Sequence, residues 1–161
     1  MNVEIYSREA IEKLLKNDFP DNVAVISFYD PKSKRTPKDY APVDYSGKCN
    51  RVFQIGVHDI DIDILEEYGL SYDTYLPETD ELAQFIYEAK NDGLNIICQC
   101  EYGQSRSAAC AAAILEHFYK TGISIFSDYR YYPNQLIFNK VYDSLKKMKH
   151  TSKQRKYKGR M

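Results

Sequence analysis

The segment that most constrains the fold is a buried strand, a short turn and an alanine-rich helix in direct succession. Leu94 to Cys100 is mostly apolar, as expected of a strand that is covered on both faces. After a turn around Gly103, Ser107 to Tyr119 contains five alanines, whose small side chains favour a helix and let it lie close to a sheet. A strand that runs directly into such a helix predicts an α/β protein.

Strands and helices alternate along the rest of the chain. β-branched and aromatic runs predict three further strands, over Val3 to Tyr6, Asn22 to Tyr29 and Arg51 to His58. Apolar residues at helical spacing predict three further helices, after Ser7 as N-cap, over Glu78 to Asn91, and from Pro133 as the first helical residue. We therefore predict a central, mostly parallel sheet of four or five strands, flanked by helices on both faces. The long loop from Lys32 to Asn50 is a candidate rim of a functional site.

Charge is distributed unevenly along this chain of 161 residues. Lys146 to Met161 holds eight of the 22 basic residues and no acidic one, whereas the preceding part has fourteen basic against 23 acidic residues. We predict one domain over residues 1–150 and a basic tail over residues 151–161. Such a tail either contacts nucleic acid or an acidic surface or is simply solvated; we favour a solvated chain end, and so do not expect nucleic acid as a partner.

Sequence features predict a cytoplasmic protein with free thiols. The longest apolar run, Ala108 to Leu115, is far shorter than the roughly 18 residues that span a bilayer, and the first residues lack a signal-peptide pattern. The chain contains four cysteines, too few for a disulfide scaffold: Cys49, Cys98, Cys100 and Cys110. Cysteines and histidines are not spaced as metal ligands, so we expect no metal and no cofactor.

A cysteine at the end of a strand and an arginine at the start of a helix enclose a loop suited to a phosphate dianion. We expect six residues to bind the phosphate, through their backbone or side chains: Glu101, Tyr102, Gly103, Gln104, Ser105 and Arg106. The positive field of the loop favours the thiolate of Cys100, which is the nucleophilic form. The planar guanidinium of Arg106 matches two phosphate oxygens. The segment therefore predicts hydrolysis of a phosphate monoester.

Two further groups complete the predicted chemistry. The hydroxyl of Ser107 can point at the sulfur and help the thiolate leave when a phosphocysteine is hydrolysed. A carboxylic acid must protonate the leaving oxygen and then accept a proton from water. Asp59 and Asp61, which follow a predicted strand, are the candidates.

The stretch from Ile97 to Ala108, with Cys100, Arg106 and Ser107 in it, closely resembles the signature of protein tyrosine phosphatases. Its Gly-x-Ser-Arg-Ser ending is similar to that of the small dual-specificity branch, and the order of elements resembles small bacterial members. The resemblance implies a metal-independent phosphatase that forms a phosphocysteine. It implies a phosphorylated protein as substrate, with phosphotyrosine favoured, while a small phosphoester stays open. It also places the general acid just after the preceding strand, at Asp59.

The chain departs from the family pattern in two places. Gln99 precedes the nucleophile where the family usually has histidine, and the interval from Asp59 to Cys100 is longer than usual. The longer interval makes Asp61, Asp63 and Asp73 alternatives for the acid. These departures motivate a second hypothesis, a phosphate-recognising binding module without useful catalysis. A sulfurtransferase or arsenate reductase with a similar anion loop is a third.

Overall fold

A computed structural model describes the backbone of residues 1–158 and the side chains of residues 1–149. Within that part of the chain, one sheet contains four strands, β1 (Val3–Tyr6), β2 (Val23–Tyr29), β3 (Val52–Gly56) and β4 (Asn95–Gln99). Their spatial order is β1-β4-β2-β3, and every neighbouring pair is parallel. The predicted α/β fold with a parallel sheet is confirmed, with four strands.

Helices cover both faces of the sheet. They are α1 (Arg8–Lys16), α2 (Thr79–Asn91), α3 (Arg106–Tyr119), α4 (Ile123–Phe126) and α5 (Gln135–Lys158). Alternate residues of β2 serve the two faces: Val25 packs with Ile11 of α1, whereas Ile26 belongs to the larger core that α2, α3 and α5 cover. The five alanines of α3 are all fully buried, as expected for a helix that lies close to the sheet.

Helix α5 begins later than predicted. Pro133 is not its first residue, because α5 begins at Gln135. The side chain of Asn134 accepts a hydrogen bond from the Ile137 N–H at 2.9 Å, which is the geometry of an N-cap. By contrast, Ser7 caps α1 as predicted, accepting from the Ala10 N–H at 3.1 Å. The asparagine side chain decides the start of α5, and the proline lies outside it.

Helix α5 extends into the predicted basic tail. It runs to Lys158 without a break at residue 151, where the tail was predicted to begin. The tail's side chains lie outside the described residues, so its role stays a prediction. Of the helices described, none is both long and apolar enough to span a membrane.

The topology brings three strand ends to one edge of the sheet. Because β2, β3 and β4 are parallel, the residues that follow them, Asp30, Val57 to Asp59 and Cys100, meet at the carboxyl edge. In open parallel sheets this edge is where ligands bind. The predicted site lies there.

Candidate active site

The loop from Glu101 to Ser105 is held in shape by the junction between β1 and α1. Gly103 has φ +67°, and a Cβ at this position would lie 2.7 Å from the backbone nitrogen of Ser7. The Arg8 N–H donates to the Glu101 carbonyl at 3.0 Å. Glycine is therefore required here for two reasons, the left-handed backbone and the close approach of another segment.

Replacing Gly103 with alanine should distort the loop. The change combines a left-handed conformation that costs about 1 kcal/mol or more with a backbone clash. We expect a lower midpoint of thermal unfolding and weaker phosphate binding, measured by calorimetry. Gly47→Ala is the control, because Gly47 also has positive φ but has open space around its Cβ. Equal effects of the two substitutions would contradict the close-packing argument.

The segment that precedes α5 supports the other side of the loop. The Tyr132 N–H donates to the Gln104 carbonyl at 2.8 Å, and the Asn134 N–H donates to the Ser105 carbonyl at 3.2 Å. The carbonyl groups of Glu101, Gln104 and Ser105 thus accept hydrogen bonds from neighbouring segments. Within the part of the chain that the structure describes, the N–H groups of residues 101–105 donate no hydrogen bond to protein. Free N–H groups in a tight loop before a helix form a concave site for an anion.

Cys100 lies at the base of this loop and is buried. Its sulfur is 3.0 Å from the hydroxyl oxygen of Ser107, in the first turn of α3. The hydroxyl can donate a hydrogen bond to a sulfur that carries negative charge. The structure therefore brings together the two residues that the sequence analysis paired.

Arg106 is fixed at one end of its guanidinium and free at the other. Its Nη1 donates to the Val57 carbonyl at 3.0 Å and pairs with the Asp30 carboxylate at 2.8 Å. The Arg106 side chain is only 5% exposed, and its Nε is buried with no hydrogen-bond partner among the described residues. An unpartnered buried donor on a cation costs free energy unless a ligand satisfies it. An anion bound in the loop would do so.

Asp59 lies beside the loop on the side of α5. Its Oδ1 accepts hydrogen bonds from the Ser105 hydroxyl at 2.7 Å and from the Asn134 side-chain amide at 2.9 Å. The same amide donates to the Ile60 carbonyl at 3.0 Å, which holds the chain after β3 in place. One carboxylate oxygen, Oδ1, thus accepts two hydrogen bonds.

No protein-family model matches the chain, and no curated protein matches it. Solved structures do. The chain aligns over 85% of its length with 83% of human tyrosine phosphatase-like serine/threonine/tyrosine-interacting protein, at 13% identity and a TM-score of 0.52. The alignment with PTPMT1 covers 95% of each chain, at 15% identity and a TM-score of 0.50. The alignment with human DUSP28 covers 92% of this chain and 94% of that one, at 12% identity and a TM-score of 0.51.

The chain has the fold of the small dual-specificity phosphatases. At these identities the likeness is one of fold. The loop that carries Cys100 and Arg106 lies in it at the carboxyl edge of the parallel sheet.

Within this dual-specificity phosphatase fold, the other acidic candidates lie outside the loop's contacts. Asp61 is exposed and precedes a 3-10 turn over Ile62–Ile64, which contains Asp63. Asp73 is exposed in the turn before α2. None of these three carboxylates forms a hydrogen bond with residues of the loop in the described structure. Asp59 is the acidic candidate that the structure places against the loop.

Gln99 is buried beneath the loop and belongs to a neutral hydrogen-bonded group. Its side-chain oxygen accepts from the hydroxyl of Ser27 and, at 2.8 Å, from that of Tyr45. Burial raises the pKa of Tyr45 well above its ordinary value, so this hydroxyl stays protonated as a donor. Where the family usually has an ionisable histidine, this chain has an amide held by two hydroxyls.

The sequence analysis missed the roles of Asp30, Asn134 and Tyr45. Asp30 directly follows the predicted strand Asn22 to Tyr29, and its place after a strand parallel to β4 was a signal that it shares the edge with Cys100. Pro133 was predicted as the first helical residue, which placed Asn134 inside the helix and missed its role as N-cap. Tyr45 lies in the long loop and carries no local signal, because its partner Gln99 is 54 residues away.

Proposed function

We propose that the chain is a cysteine-dependent phosphate monoester hydrolase of the tyrosine or dual-specificity type. The observation that carries the proposal is that one short loop joins a buried thiol to two kinds of unsatisfied donor. These groups are the thiol of Cys100, the buried Nε of Arg106 and the free N–H groups of residues 101–105. Together they would bind a phosphate dianion with a nucleophile directly beneath it.

In the first step, the Cys100 thiolate attacks phosphorus and the bond from phosphorus to the ester oxygen breaks. The Asp59 carboxylic acid gives its proton to the leaving oxygen, which departs as an alcohol or phenol. The guanidinium of Arg106 and the N–H groups of the loop stabilise the charge on the phosphoryl oxygens throughout. Asp30 and the Val57 carbonyl hold Arg106 so that its remaining donors face the phosphate.

In the second step, the Asp59 carboxylate takes a proton from water, and the water oxygen bonds to phosphorus. The phosphorus–sulfur bond breaks, and inorganic phosphate is released. Ser107 donates a hydrogen bond to the departing thiolate of Cys100, from which its oxygen is 3.0 Å away. Both residues thus return to their starting states, and neither a metal nor a cofactor enters the scheme.

Turnover of p-nitrophenyl phosphate in EDTA tests this proposal. We expect hydrolysis with release of stoichiometric phosphate and inhibition by vanadate. Thiosulfate with cyanide and arsenate with a thiol reductant are the parallel assays, since a similar anion loop serves sulfurtransferases and arsenate reductases. Activity in either parallel assay without phosphate release would reject the phosphatase function.

A phosphate-recognising binding module is the second candidate. The neutral group around Gln99 favours it, because no ionisable side chain from this position assists the thiolate. One fold neighbour is named an interacting protein, tyrosine phosphatase-like. Vanadate binding without any turnover of aryl phosphates would support this candidate over the enzyme.

Arg106→Lys should weaken both binding and turnover by about 10- to 100-fold, because a lysine cannot replace a fork that contacts phosphate while Asp30 holds its other end. The measurements are kcat, KM and vanadate affinity. Arg8→Lys is the matched control: Arg8 contacts the loop only through its surface pair with Glu101 and its backbone. Wild-type values for Arg106→Lys would refute the assigned role.

A further inference from the structure

Two clefts meet beside the predicted acid. The first, of about 670 Å³, runs between the loop over residues 30–37 and the wall formed by His58 and Tyr68. The second, of about 820 Å³, runs from Ser105 between the 3-10 turn over Ile62–Ile64 and the start of α5. Asp59 and Ile60 line both clefts. The two clefts therefore adjoin at these residues, and together we call them the groove. The phosphate loop borders the second cleft through Ser105 and the first through Arg106, which pairs with Asp30.

The exposed charges of the two clefts differ. Lys34 and Arg35 are the basic residues that line the first cleft, and its acidic residues, apart from the shared Asp59, are Glu67 and Asp30, whose carboxylate pairs with Arg106. Lys32 and Lys38 flank them in sequence, with no acidic residue between. In the second cleft the charged residues, apart from the shared Asp59, are Asp61 and Asp63.

The four charged side chains that distinguish the clefts are free to meet a ligand. Lys34, Arg35, Asp61 and Asp63 are all exposed, and none forms an ion pair within the described residues. Aromatic rings complete the walls, with Tyr68 in the first cleft and Tyr131 and Tyr132 in the second.

We propose that the groove binds a phosphorylated polypeptide segment whose flanks differ in charge. Acidic side chains would lie against Lys34 and Arg35, and basic ones against Asp61 and Asp63. This proposal rests on the proposed function for the central phosphate site. It specifies the charge of the residues on either side of the phosphorylated one, and the four side chains of this protein that would contact them.

The charge pattern selects a polypeptide over other phosphoesters. A small phosphoester would fill one cleft at most, and the side chains of the other cleft would then contact no part of the ligand. A nucleic acid or an anionic lipid surface carries charge of one sign, so Asp61 and Asp63 would repel it. Among these ligands, a polypeptide alone can present acidic and basic groups on opposite sides of one phosphate.

Two phosphotyrosyl peptides of identical composition test the proposal. One has glutamates before the phosphotyrosine and lysines after it, and the other has the reverse order. We expect one order to bind roughly three- to tenfold more tightly, since exposed charge pairs are individually weak. The difference should fall at high salt. Binding is measured by fluorescence polarisation with the Cys100→Ser protein, so it does not depend on turnover, and kcat/KM is measured with the active protein.

Reversing the charge of residues in the first cleft tests whether the preference between the two peptides arises in the groove. Lys34→Glu with Arg35→Glu should abolish or invert the ratio between the two peptides. Taking the ratio within one protein removes any general effect on folding. Lys16→Glu with Lys48→Glu is the charge-matched control, because Lys16 ends α1 and Lys48 lies near the amino ends of β2 and β4, and it should keep the ratio.

The outcomes separate this proposal from the function on which it rests. Equal binding of the two peptides, or a preference that survives the charge reversal, would overturn the polarised groove. Hydrolysis of p-nitrophenyl phosphate with no binding of either peptide would also overturn it, while leaving a small-molecule phosphatase. A polarised preference in a protein without turnover would uphold the groove and reject the enzyme.

Discussion

The Cys100→Ser protein should show no measurable turnover and should still bind phosphate or vanadate. A serine hydroxyl supplies no thiolate, so the first step is lost. The anion site is built from the N–H groups of residues 101–105 and from Arg106, and none of these is changed. Phosphate release from an aryl phosphate measures the first effect. The rise of the unfolding temperature with added phosphate measures the second.

Cys49→Ser is the matched control for this experiment. Cys49 is a half-buried thiol in the loop before β3 that donates weakly to the carbonyls of Val23 and Arg51, as a serine also can. Its replacement should leave turnover at the wild-type level. Residual activity in Cys100→Ser close to wild type would remove Cys100 as the nucleophile. Loss of phosphate binding would instead mean that the thiol shapes the loop.

The Asp59→Asn protein should hydrolyse phenyl phosphate about 10²- to 10⁴-fold more slowly, the usual range for the loss of a general acid. Asparagine has nearly the same shape and can still accept from Ser105 and Asn134, so the loop should keep its position. The loss should be smaller for p-nitrophenyl phosphate, whose leaving group needs its proton less. The alkaline limb of the pH profile should also flatten.

Asp61→Asn is the control for the acid, because Asp61 is exposed and has no hydrogen bond to the loop. It should change the rate on phenyl phosphate little. Equal impairment of Asp59→Asn on both esters would show that Asp59 positions the loop and does not donate a proton. A large effect of Asp61→Asn confined to phenyl phosphate would transfer the role of acid to Asp61.

Local sequence patterns predicted most of the strands and helices correctly. β1 was predicted at its observed bounds, β2, β3, β4 and α2 to within two residues at each end, and the start of α1 after Ser7 as observed. The formation of each element depends on residues that are neighbours in sequence. Val25 and Ile26, for example, lie on opposite faces of β2. The prediction was wrong where a side chain overrides the local pattern, at the start of α5. Asn134 caps this helix, which therefore begins at Gln135 and not at Pro133.

The sequence by itself determined that Cys100, the loop and Arg106 form one unit, since a strand, a tight turn and a helix are adjacent along the chain. Tertiary structure alone decided how that unit is completed. The pair between Arg106 and Asp30 joins residues 76 positions apart, and the contact between Asn134 and Asp59 joins residues 75 apart. No local pattern encodes such pairs, because strand order and the packing of α5 fix them. The orientation of the arginine and the place of the acid follow from that packing.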